Sequence, residues 1–172
     1  MRRARRRERG FTLIEMMVVC AFIAVLAAIA VPIFAGEARK SKGSTEVAPM
    51  FAELSVREDQ YKSDNGKYLT TPACPSAPAA TGTSATGCVA SGGAWTALNV
   101  QLPFQQLKCS YAITAGGAAD KVTNPAGFSF TSPPMSWFYL IATCDLDGAG
   151  GTNSTYFTSS VDSTIQKQNE GK

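Results

Sequence analysis

The sequence predicts an α+β protein: a long N-terminal helix, membrane-spanning in its first half, packed on a C-terminal antiparallel β-sheet of about four strands. Three observations carry that reading. Residues 11–34, "FTLIEMMVVCAFIAVLAAIAVPIF", hold a single charge, Glu15. Apolar residues then recur at helical intervals, at Val47, Met50, Leu54 and Tyr61, with Phe51 beside them. Further on, short runs of aromatic and β-branched residues alternate with turn-rich segments.

The chain opens on a basic leader, residues 1–10, which holds six of the 16 basic side chains and one of the 13 acidic ones. The remaining ten and twelve leave residues 11–172 at a net charge of −2, although the whole chain is at +3. A nucleic-acid-binding protein would carry its basic patch on the folded body. Arginines beside an apolar run instead suit the cytoplasmic flank of a membrane segment. As a helix, residues 11–34 would be about 36 Å long, enough for a hydrocarbon core of about 30 Å. A cleaved secretory signal peptide is the competing reading. The run is long for one, and "VPIFAGEARK" offers no clear small-x-small cleavage site.

Residues 35–66 continue the helix in amphipathic form, with Glu46, Glu53, Arg57, Glu58 and Lys62 at positions other than the apolar ones. The result is one helix of about 50 residues, stopped near Asn65-Gly66. Pro32, Gly36, Gly43 and Pro49 are expected to bend or locally loosen it. Residues 67–172 form a globular head. Within it, "TTPACPSAPAATGTSATGCVASGG" (70–93) reads as a loop by composition. The expected strands are "LKCSYAIT", "GFSFTS", "SWFYLIATCDLD" and "STYFTSSV". One face of such a meander needs cover, and the amphipathic half of the helix is the available partner.

The chain has no histidine, which removes the usual base for a serine or cysteine nucleophile and the commonest metal ligand. Of five cysteines, Cys20 lies in the apolar run and Cys74, Cys88, Cys109 and Cys144 lie beyond it. Four in the head point to two disulfides in an oxidising compartment, with three pairings open. No C-x-x-C spacing suggests zinc or thiol redox chemistry.

"RGFTLIEMMVV" followed by Pro32 closely resembles the N-terminus of type IV pilins and the related type II secretion pseudopilins. The basic leader, Gly10, Phe11, Glu15 and the apolar helix carry the resemblance, which extends through "RKSKGSTEV" and "YKSDNGKYL" to about residue 70. It implies removal of the leader between Gly10 and Phe11 by a prepilin peptidase, followed by N-methylation of Phe11. It also implies a stay in the bacterial inner membrane with the head outside the cytoplasm. Assembly machinery then stacks the subunits as a homo-oligomeric helical filament on the cell surface, with the apolar helices inside.

Glu15 fits that account physically. A carboxylate in hydrocarbon needs a partner or a route to the interface. The resemblance supplies the new amine of a neighbour's Phe11, a pair whose better-attested use is to fix register. Gly10 leaves the backbone beside the scissile bond unobstructed, and Pro32 stands where family members often break the helix. Cys74–Cys88, across a local loop, and Cys109–Cys144, between two expected strands, are the preferred bridges. The second would staple the sheet near its C-terminal edge, as in many pilins.

Other features have plainer readings. Cys20 reads as a small apolar residue buried in the helix core. Asp145 and Asp147 in "DLDGAGGTN" are weak calcium candidates, because the glutamate that completes an EF-hand loop is missing. Trp95, Trp137, Phe138 and Tyr139 read as core aromatics. The sequence therefore reads as a structural pilus subunit, with no enzymatic activity, metal, cofactor or nucleic-acid partner. A type II secretion pseudopilin or minor pilin is the alternative, and a non-polymerising membrane-anchored binding domain a more distant one. Motility, adhesion, DNA uptake and secretion all remain open as roles.

Overall fold

The computed structural model describes residues 10–89, 92–118, 120–125 and 127–172. The chain divides into two units, Met1–Gly36 and Glu37–Lys172. Helix α1 spans Leu13–Asn65. It ends where Gly66 adopts a left-handed conformation (φ 75°), and the Gly66 N–H donates to the Lys62 carbonyl at 2.7 Å. That is the usual glycine stop for a helix. Pro32, Gly36, Gly43 and Pro49 all lie inside one continuous helix. Each proline removes a single backbone bond. Around Pro49, the fully buried Val47, Met50 and Leu54 hold the turn in place.

The second unit is built on a five-stranded sheet. Its strands are β1 (Thr71–Cys74), β4 (Cys109–Gly116), β5 (Trp137–Cys144), β6 (Ser154–Ser159) and β7 (Gln166–Gln168), in that spatial order. All neighbours are antiparallel. Two-residue strands β2 (Thr83–Ser84) and β3 (Gln106–Leu107) pair separately. One-turn helices α2 (Thr86–Val89) and α3 (Ala94–Ala97) lie in the chain between them.

Strand alternation gives the sheet two differently covered faces. Tyr111 and Ile113 of β4, Phe138, Leu140 and Ala142 of β5, and Tyr156 of β6 join Val47, Met50, Phe51 and Leu54 of α1 in the main core. Helix and sheet approach closely at Gly43, where a methyl group would overlap the Tyr156 hydroxyl. The opposite face carries Trp137, Tyr139 and Phe157, covered by Phe128 and Phe130.

That second core corrects the reading of "GFSFTS". Residues 127–132 form no strand. Phe128 and Phe130 do share one face, as alternation implies, but they lie across the sheet as a strap. Pro125 before and Pro133-Pro134 after remove backbone donors, and the Phe130 N–H turns instead to Asn124 Oδ1 at 3.1 Å. Ring pairs Phe128–Phe157 (centroids 5.1 Å apart) and Trp137–Tyr139 (6.0 Å) are stacked. Trp95, Trp137, Phe138 and Tyr139 are all buried in one core or the other.

Candidate functional site: the exposed apolar helix and its start

The first unit presents apolar side chains on every side. Phe11, Leu13, Phe22, Leu26 and Phe34 are all more than 65% exposed, and no residue of the most apolar 18-residue window is buried. A helix that is apolar all round requires an apolar surrounding, and this one is long and apolar enough to cross a membrane. Cys20 is free and exposed with its neighbours, not buried as expected, because nothing among the described residues packs against this stretch.

The start of the helix is locally specified. Thr12 Oγ1 accepts the Glu15 N–H at 3.3 Å, and Glu15 Oε2 accepts the Thr12 N–H at 3.5 Å. This is a capping box, in which two otherwise unpartnered backbone donors are satisfied reciprocally. Glu15 also places a negative charge in the first turn, where the helix dipole favours it. Gly10 and Phe11 precede the helix, exposed and without regular structure, and a side chain at Gly10 would meet open space. The remainder of the leader lies outside the described residues. The Thr-x-x-Glu spacing was present in the sequence, but the sequence reading gave Glu15 only a register role and missed the cap.

In the head, Cys74 is bridged to Cys88 and Cys109 to Cys144. Cys109 and Cys144 face each other across β4 and β5 in register. Asp145 Oδ1 accepts the Gly148 N–H at 2.8 Å, and Asp147 Oδ1 accepts the Ala149 N–H at 3.0 Å. Both carboxylates thus shape a turn containing the left-handed Gly148 (φ 67°). Among the described residues, no three His, Cys, Asp or Glu side chains gather as a metal site.

Two glutamates depart from the sequence reading. Glu46 and Glu58 were expected on the polar side of α1, and both are buried. The signal was available: 46, 50, 54 and 58 form one i, i+4 row with Met50 and Leu54. Glu46 fastens the helix to the sheet. Its oxygens accept the Lys108 N–H at 3.0 Å, the Cys109 N–H at 2.9 Å and the Tyr111 hydroxyl at 3.1 Å. Burial, and then the Glu46 charge, push the Tyr111 phenol well above its ordinary range. Glu58 Oε2 accepts the Leu69 N–H at 2.9 Å, while Oε1 has no partner among the described residues. Burial pushes its carboxyl up to about 7.

Comparison with known proteins agrees with the site. The family model for the prokaryotic N-terminal methylation motif matches residues 5–31. The type II secretion system core protein G of Dickeya chrysanthemi is 44% identical over 66 residues, 38% of this chain and 42% of that protein. Its namesake in Klebsiella pneumoniae is 43% identical over 65 residues, 38% of this chain and 46% of that protein. The type IV wide pilus major component PilA4 of Thermus thermophilus is 37% identical over 65 residues, 38% of this chain and 49% of that protein. The chain thus spans less than half the length of these relatives. No solved structure matches it significantly. Over its N-terminal part the chain is therefore similar to type IV pilins and type II secretion pseudopilins, and its long apolar helix with an antiparallel sheet is an α+β fold consistent with that likeness.

Proposed function

We propose that the chain is a prepilin that polymerises into a type IV pilus through its apolar helix. A prepilin peptidase cuts between Gly10 and Phe11, and Phe11 is N-methylated. The subunit waits in the bacterial inner membrane with its head outside the cytoplasm, and the inner-membrane assembly machinery then builds the filament. The observation that carries this reading is the helix exposed on all sides, which starts directly after an open Gly10–Phe11 bond. Packing against other copies of itself would bury such a helix outside lipid. In the filament, Glu15 turns from its own cap to the amine of a neighbour's Phe11, and the helix opens at Pro32.

A type II secretion pseudopilin is the second reading, favoured by the relatives named core protein G. Both readings share the processing step. Co-expression with a prepilin peptidase should give an intact mass beginning at Phe11 with one added methyl group. A mass beginning at Met1, with the peptidase active on a control prepilin, would overturn both. Long filaments sheared from the cell surface select the pilus; short filaments formed only alongside secretion components select the pseudopilus. Glu15→Val should leave a membrane-resident subunit with filament yield at least tenfold lower, because removing one partner of a buried charge pair costs about 3–5 kcal/mol. Normal yield would remove its register role.

A further inference from the structure

A concave site of about 310 Å³ opens beside the start of the second unit, lined by Ser41, Lys42, Thr45, Phe104, Gln106 and Lys108, with Glu46 at its floor. Its two lysines outnumber its one carboxylate, and that carboxylate is already engaged. Glu46 is buried, 8% exposed, and both its carboxylate oxygens are taken up by the Lys108 and Cys109 N–H groups and the Tyr111 hydroxyl. The ammonium groups of Lys42 and Lys108 form no ion pair among the described residues, whereas Lys40 is paired with Glu37 and Lys167 with Glu170. The half-buried Phe104 adds an apolar wall beside the two cations. In sequence, Lys42 follows the last residue of the apolar run by eight positions, and Arg39, also without an ion pair, by five.

We propose that this site holds the phosphate headgroup of an anionic phospholipid while the subunit waits in the membrane. The proposal rests on the membrane-anchored reading above. Lys42 and Lys108 provide the charge, Ser41 and Gln106 provide hydrogen-bond donors, and Phe104 faces the glycerol and upper acyl region. The occupant is fixed by charge complementarity and by continuity along the chain with the membrane segment. Basic residues next to a membrane helix attract anionic headgroups, and lysine stems lie along apolar surface with the ammonium group at the interface. Glu46 is the positioning residue, because its bonds to the Lys108 and Cys109 backbone hold Lys108 at the rim.

The test uses the full chain in zwitterionic phosphocholine micelles, titrated separately with short-chain phosphatidylglycerol, short-chain phosphatidylcholine and inorganic phosphate. Backbone amide shifts at Lys42, Thr45 and Lys108 report the site. Saturable shifts with phosphatidylglycerol alone are expected, with about tenfold weaker binding after Lys42→Gln with Lys108→Gln and no change after Lys121→Gln. Absence of saturable shifts would overturn the proposal. Equal binding of inorganic phosphate would overturn it too, by making this a general anion site. Equal loss in Lys121→Gln would reduce it to diffuse charge attraction. Flotation of the wild-type chain with vesicles of phosphatidylcholine alone reports separately on the membrane reading, since that step depends on the apolar helix and not on the two lysines.

Discussion

The two ends of helix α1 are built from similar residues put to opposite use. Leu26, in the first unit, is 68% exposed, and Leu54, in the second, is completely buried. Around Leu26 the helix is apolar on all sides and leaves its partner to be supplied from outside the chain. Around Leu54 an i, i+4 row meets its own sheet. Composition alone does not separate a helix that completes a fold from one that awaits a partner. What separates them is the angular width of the apolar surface and whether polar residues bound it.

Removing one leucine from each end tests this most strongly. Leu54→Ala should cost the head about 3 kcal/mol, because the main core loses a filled site. Leu26→Ala should leave head stability unchanged in detergent. Thermal or denaturant unfolding followed through the buried tryptophans reads both, and equal losses would break the comparison.

A comparable effect, of about 3 kcal/mol at most, comes from Glu58. Its carboxyl titrates near 7 in the folded head and near 4.5 when unfolded. Between those values the folded state holds the extra proton, so stability falls as pH rises from about 4.5 to 7, and the loss is complete above that. Glu58→Gln keeps an acceptor for the Leu69 N–H and should flatten this slope, leaving the variant the more stable protein at pH 8. An unchanged slope in unfolding measured across pH 5–8 would reassign the dependence to other groups.

The smallest effect sharpens the comparison at the other end. Thr12→Val removes the hydroxyl half of the capping box and should loosen the first turn by about 1 kcal/mol. Hydrogen exchange of the first-turn amides in micelles should quicken about fivefold, with head amides unaffected. Protection equal to wild type would mean that the detergent interface, not Thr12, satisfies those donors.

Much of this was legible beforehand. The full length of α1, its stop at Asn65-Gly66, strands β4, β5 and β6, and the use of the helix as cover all follow from periodicity and punctuation. Strand β1 was hidden because Pro72 and its surroundings read as loop, and an edge strand tolerates that proline. Strand β7, "QKQ", is polar and short, as an edge strand is when neither face needs a large side chain. Residues 127–132 carried a true alternation signal that specifies a shared face and not a ladder. At the site, Gly10, Phe11 and Glu15 stood out by motif, while the capping box needed only the spacing of Thr12. The buried Glu46 was harder to foresee, since a charge in an apolar row is normally read as a break in it, and its backbone partners are 62 and 63 residues away.

The aromatic strap divides the demands made on the sheet. Because Phe128 and Phe130 pack with the outward side chains of β5 and β6, the sheet separates the strap from the core shared with the helix. Residues 117–135 answer to the outward face: the carbonyls of Gly117 and Thr123 accept the Trp137 indole N–H and the Tyr139 hydroxyl, and Phe128 and Phe130 cover the same strands. The inward side chains of the same strands are bound to the register of α1. Successive residues of β5 therefore answer to different partners, Trp137 and Tyr139 to the strap and Phe138, Leu140 and Ala142 to the core shared with α1, so the effect of a substitution depends on which face it lands on.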